Sequence, residues 1–128
     1  MSENEIAKII VDCAYKIHTT LGPGLLESVY QKVLAYELEK RGLEVRQEVG
    51  MRIHYDDIVF DEGYRADLIV ENKVIIELKS IDALAPIHYK QLLTYLRLAD
   101  KRLGLLINFN EALIKDGMHR VVNGLKET

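Results

Sequence analysis

The sequence predicts an α/β (α+β) domain, and two observations carry that expectation. Before Gly42, apolar residues recur at helical spacing in two segments split by Gly22-Pro23-Gly24. After it, they alternate or run together in short stretches, broken by one further helical segment that opens at Pro86. At 128 residues the chain is long enough for a sizeable core, and one domain over 1–128 is expected.

Ser2-Glu3-Asn4-Glu5 has capping-box spacing. Ile6, Ile9, Ile10, Cys13, Ala14, Ile17 and Leu21 then form one stripe of a first helix. A second helix is expected from about Leu25 to Arg41, stopped by Gly42, with an inward stripe of Leu26, Val29, Tyr30, Val33, Leu34 and Leu38. Leu43 to Val49 alternates and reads as a strand. Met51 to Tyr55 and Ile58 to Phe60 flank a turn at Asp56-Asp57. Tyr64 to Val70 and Val74 to Ser80 follow as a hairpin around Glu71-Asn72-Lys73. Proline suits a first helical position, so a third helix is expected from Pro86 to about Leu98. Leu103 to Phe109 is almost unbroken apolar sequence, as in a strand covered on both faces. Met118 to Val122 is a short final strand candidate.

Composition excludes several classes. A net charge of -3 at pH 7 does not suit a polycationic coat for nucleic acid, although an enzyme whose metal meets the phosphate remains compatible. The single cysteine, Cys13, lies on the apolar face of the first helix and reads as a buried structural thiol in a reducing compartment. The N-terminus lacks the basic and apolar regions of a signal peptide, and no apolar run reaches transmembrane length, so a cytoplasmic protein is expected.

The hairpin holds the chemistry. Both of its strands are aliphatic, yet each carries charge at its centre, and burying charge is costly unless it is paired or bound to metal. By alternation, Arg65, Asp67 and Ile69 should share one face, as should Ile75, Glu77 and Lys79. A three-residue turn pairs Val70 with Val74, which sets Asp67 against Glu77 and Arg65 against Lys79. Opposed Cβ atoms lie roughly 5 Å apart. Two carboxylates at that range need a proton or a cation between them. Oxygen-only ligands favour Mg²⁺ or Mn²⁺ over zinc. The plainer alternative is a solvated Lys–Glu ladder, and a two-residue turn would put Asp67 and Glu77 on opposite faces.

Two helices offer further groups. On the helical wheel Glu27 falls between Leu34 and Leu38, which points it inward in the first turn of the second helix. It is either an ordinary N-terminal glutamate or a third carboxylate that binds metal or positions water. His88, Gln91 and Tyr95 share one face of the third helix. Gln91 and Tyr95 could bond a phosphate or orient a lysine, or could simply be boundary residues. His88 reads more readily as structural. Asp56-Asp57 and Asp61-Glu62 read as solvated turns. No Cys/His spacing suggests zinc, and no Gly-rich loop suggests a nucleotide phosphate site.

Together these segments resemble the PD-(D/E)xK nuclease superfamily, and in particular its compact GxxExxY family. Gly24, Glu27 and Tyr30 stand at the positions of that name. Asp67 followed by Glu77-Leu78-Lys79 would be the superfamily signature, with Ala66 where a proline is usual. Gln91-x-x-x-Tyr95 is similar to the helix motif of the RecB-like exonuclease branch, and Gly104 to Phe109 is similar to the late strand. The resemblance implies a restriction-endonuclease-like core: a central mixed sheet with the active site on its middle hairpin and helices on both sides. It also implies roles. Asp67, Glu77 and the Leu78 carbonyl would hold Mg²⁺ or Mn²⁺. Lys79 would position or activate the attacking water. Glu27 would bind a second ion or its water. Gln91 and Tyr95 would orient Lys79 or the phosphate, with Tyr30 and Arg65 as further substrate-binding or orienting candidates.

The expected activity is hydrolysis of phosphodiester bonds in nucleic acid, DNA or RNA. The alternatives are a catalytically silent module of the same fold that binds nucleic acid or protein, and hydrolysis of another phosphate ester in a closed pocket. The chain has little material beyond the core for recognising a substrate, so a homo-oligomer or a protein partner is also expected.

Overall fold

The fold is that of a computed structural model, which describes residues 1–126. Ser2 caps the first helix, α1 (Glu3–Leu21). Its hydroxyl accepts the Glu5 N–H at 3.1 Å, and Glu5 Oε1 accepts the Ser2 N–H at 2.9 Å. Of the expected stripe, Ile6, Ile10, Cys13, Ala14 and Ile17 are buried and Ile9 is half-buried, and burial pushes the Cys13 thiol pKa up. Leu21 remains partly exposed.

The second helix, α2 (Glu27–Lys40), starts two residues later than its apolar pattern suggests. Leu26 is the extended cap residue and is 74% exposed, and Val29 is also exposed, so the inward stripe is narrower: Tyr30, Leu34, Ala35 and Leu38. The Gly22–Leu25 loop causes the delay. Gly22 and Gly24 adopt φ of 70° and 97°, which favour glycine. The Tyr30 hydroxyl donates to the Gly22 carbonyl at 2.6 Å and accepts the Leu25 N–H at 3.1 Å.

Five strands follow, β1 (Val45–Tyr55), β2 (Ile58–Val70), β3 (Val74–Lys79), β4 (Leu103–Asn108) and β5 (Met118–Val122), with a third helix, α3 (Pro86–Ala99), between β3 and β4. They form one sheet in the order β1-β2-β3-β4-β5. Only β3 and β4 run parallel, and α3 makes the crossover that a parallel pair needs. The segments on either side of Gly50 form one strand, and so do those on either side of Asp61-Glu62. A long two-stranded arm results.

The sheet is covered on both faces. Leu68, Val70, Val74, Ile76 and Leu78 pack toward α1 and α2. Ile69, Ile75 and Leu106 pack toward Leu92 and Leu96 of α3. A Cβ on Gly104 would sit 2.9 Å from Leu92, so only glycine lets α3 approach β4 this closely. Among the described residues, no helix is long and apolar enough to cross a membrane.

Candidate metal centre and active site

Hairpin register places the site. The turn has three residues, with Glu71 and Asn72 both at φ 53°, and the pairs Val70–Val74, Ile69–Ile75 and Leu68–Ile76 follow from it. One more step would pair Asp67 with Glu77. The backbone ladder stops just short of that step, and a side chain takes its place: Asp67 Oδ2 accepts the Leu78 N–H at 2.8 Å. The N–H and C=O of a strand residue point to the same neighbour. The Leu78 carbonyl is therefore directed toward the Asp67 side, while the Lys79 carbonyl on the other side accepts from Phe109 N at 2.9 Å.

Strict alternation breaks in β2 at this point. Ala66 and Ile69 both pack toward α3, whereas Leu68 packs toward α1 and α2. On β1 the register from Val49–Ala66 to Gln47–Leu68 leaves Glu48 beside Asp67, and Glu48 has a φ of 49°. This corrects the expectation for Arg65. Its neighbours Tyr64 and Ala66 face α3, so Arg65 points the other way. Its guanidinium pairs with Glu62 at 2.6 Å and takes no place beside Asp67 or Lys79.

Glu77 is the electrostatic centre. It is buried, with 9% of its surface accessible, in a strand whose other side chains are aliphatic apart from Lys79. Its carboxyl pKa is pushed up to about 8, first by burial, then by the charge of Asp67 and a hydrogen bond between the two carboxyl groups. Lys79, half-buried two residues on, acts in the opposite sense. Glu77 Oε1 is buried without a hydrogen-bond partner among the described residues. Such an atom is costly unless something else bonds it.

Two tyrosines wall the site on the α3 side. Tyr64 stacks on Tyr95 with ring centroids 4.2 Å apart, and its hydroxyl donates to the Tyr95 carbonyl at 3.1 Å. Burial and the negative charge of Glu77 contribute to raising both phenol pKa values. Tyr95 thus stands near the carboxylates. Gln91, one turn earlier, is exposed, and His88 caps its own helix, its Nδ1 accepting the Ala85 N–H at 2.9 Å.

The second helix meets the site at its edge. Glu27 is the first residue of α2 and is solvent-exposed, which overturns its expected inward orientation. The wheel argument fails because the N-terminal turn overhangs the core. The Ser80 hydroxyl donates to the Leu25 carbonyl at 2.6 Å and holds that turn beside the end of β3. Tyr30 is fully buried, stacked on Phe109 at 4.5 Å, and its hydroxyl is committed to the Gly22–Leu25 loop. Gly24 and Tyr30 therefore shape the loop from which Glu27 projects.

Sequence reasoning missed Tyr64, Ser80 and Asn108. Buried Asn108 accepts from Ile81 N at 3.1 Å and donates to Ile81 O at 2.9 Å, fixing the loop that follows Lys79. A lone amide ending an apolar strand was the available signal. Tyr64 had none, because unbroken alternation would have turned it away from Asp67.

The donor set is all oxygen. Among the described residues no three His, Cys, Asp or Glu side chains converge as a metal cluster, so the carboxylate contribution is the Asp67–Glu77 pair. That suits a hard cation that keeps several waters and takes one or two carboxylates. Two surface cavities, of about 250 and 190 Å³, include Val11, Tyr15, Met118 and Thr20, Leu21, Val33 among their lining residues, respectively, and neither contains a residue of this site.

A family model for the PD-(D/E)XK nuclease superfamily matches residues 4–121. No curated protein and no solved structure matches the chain. The family match runs from the first turn of α1 into β5 and includes the whole acidic hairpin and both helices that border it. The chain belongs to the PD-(D/E)XK nuclease superfamily.

Proposed function

We propose that this protein is a Mg²⁺- or Mn²⁺-dependent nuclease that hydrolyses phosphodiester bonds of DNA or RNA at the Asp67–Glu77 pair, with DNA the favoured substrate and the GxxExxY family the finer assignment. Superfamily membership supports a metal-dependent nuclease acting on nucleic acid. The observation that carries the reading is the orphaned, buried Glu77 Oε1 beside Asp67. A hard divalent cation satisfies that oxygen and removes the repulsion between the two carboxylates.

Asp67, Glu77 and the Leu78 carbonyl are the ligands this reading assigns. When bound, the cation polarises a phosphoryl oxygen and lowers the pKa of a coordinated water. Lys79 sits at the mouth of the pair, where an ammonium orients the attacking water and offsets phosphate charge. Tyr95, held by its stack with Tyr64, is a donor toward a phosphate oxygen, and exposed Gln91 extends the same helix face. Glu27, at the outer edge, would act through a water or a second ion.

The test is a cleavage screen on single- and double-stranded DNA and RNA with Mg²⁺ or Mn²⁺. Asp67→Ala and Lys79→Ala should each abolish cleavage while the protein stays folded. Equal activity of the wild type and Asp67→Ala would sink the proposal.

A further inference from the structure

Ser80 stands one residue past Lys79, where β3 ends, and the backbone is held on both sides of it. The Lys79 carbonyl accepts from Phe109 N at 2.9 Å. Ile81 N–H donates to Asn108 Oδ1 at 3.1 Å, and the Ile81 carbonyl accepts from Asn108 Nδ2 at 2.9 Å and Asn110 Nδ2 at 3.2 Å. Asn108 is fully buried and is the β4 partner of Lys79. Ser80 is therefore a fixed post at the rim of the site, and from it the hydroxyl donates to the Leu25 carbonyl at 2.6 Å. The loop at the other end of that bond has few constraints of its own. Gly22 and Gly24, at φ 70° and 97°, sit where glycine adjusts at little steric cost. Leu26, the N-cap of α2, makes no side-chain capping bond. Tyr30 ties the loop only to its own helix, through Gly22 O and Leu25 N.

Given the metal-centre reading of the Asp67–Glu77 pair, we propose that Ser80 is a positioning residue: its bond to Leu25 O fixes where Glu27 stands relative to that pair. Among the described residues, this is the one hydrogen bond from the Gly22–Leu26 loop to the end of a strand. The Glu27 side chain is exposed and makes no hydrogen bond or ion pair among the described residues, so its backbone alone sets its place. Two residues of chain span at most about 7 Å, so a shift at Leu25 passes directly to Glu27. The post is rigid and the loop permissive. Removing the hydroxyl therefore displaces Glu27 and leaves Asp67, Glu77 and Lys79 where they are. The bond thus couples the first turn of α2 to the strand that carries Glu77 and Lys79.

Ser80→Ala, Ser80→Thr, Glu27→Gln and the Ser80→Ala/Glu27→Gln double variant of the full chain test this. Ser80 is only half-buried, so its variants should fold. Metal-dependent cleavage by Ser80→Ala should fall by roughly 10- to 100-fold, the cost of a misplacement on the order of 1 Å. Ser80→Thr keeps the hydroxyl and should restore most of that loss. In the Glu27→Gln background Ser80→Ala should add no further loss, because a positioning residue acts only through the group it positions. A second readout needs no cleavage. Mn²⁺ added below stoichiometry broadens backbone amide NMR signals according to their distance from the ion. In the wild type it should broaden both Leu78 and Glu27. In Ser80→Ala it should broaden Leu78 as before and Glu27 less. Unchanged broadening at Glu27 in folded Ser80→Ala overturns the proposal, as does a full additional loss of cleavage in the Glu27→Gln background. If Leu78 does not broaden in the wild type, the metal-centre reading itself fails and the role of Ser80 falls with it.

Discussion

Replacing Glu77 by glutamine removes a charge that the fold strongly resists while keeping nearly the same shape. In the folded, cation-free protein the carboxyl pKa is pushed from 4.5 up to about 8. A raised acid pKa means that the folded state holds a proton the unfolded chain gives up. The protonated group's contribution is therefore complete below about pH 4.5 and is lost as pH rises through about 8. At about 1.4 kcal/mol per unit, the loss across that window is about 5 kcal/mol. Glutamine cannot ionise, so Glu77→Gln lacks this loss. Urea unfolding with EDTA at pH 5, 7 and 9 measures it. The stability of Glu77→Gln relative to wild type should climb steadily with pH, by several kcal/mol in total. Titrating groups remote from Glu77 cancel in that difference, so it reports on the coupled Asp67–Glu77 pair. Parallel pH profiles for the two proteins would refute the reasoning.

Cation binding should oppose the same proton. Mn²⁺ affinity, followed by calorimetry, should increase between pH 6 and pH 8 and level off near the Glu77 pKa of about 8. Asp67→Asn removes the neighbouring charge that helps raise Glu77. The Glu77 carboxyl, followed by ¹³C NMR, should then titrate lower, and Mn²⁺ binding should weaken at least about tenfold. Tyr30→Phe keeps the stack on Phe109 but leaves Gly22 O and Leu25 N without their partner. It should cost about 1–3 kcal/mol in urea unfolding. Gly104→Ala forces Leu92 away from β4 and should destabilise by about 1–3 kcal/mol by the same measurement.

The parts of the site that were legible in the sequence depend on local rules. Glu71-Asn72-Lys73 made a three-residue turn, and that turn alone set the register that brings Asp67 toward Glu77. Helix and strand order followed from apolar spacing and from Pro86. What failed depended on tertiary structure. Arg65 was placed by unbroken alternation, but the strand changes face at Asp67, opposite a glutamate in the left-handed region, and no residue type announces that. Glu27 and Leu26 were assigned to an inward face by a wheel that cannot show where the core ends. Tyr64 became visible only once its ring lay on Tyr95.

The most direct test is the anomalous map of a crystal soaked in Mn²⁺ at about pH 8. The account predicts a peak within coordination distance of Asp67 and Glu77 Oε1. No peak at high Mn²⁺, with the two carboxyl groups still hydrogen-bonded through a shared proton, would contradict it.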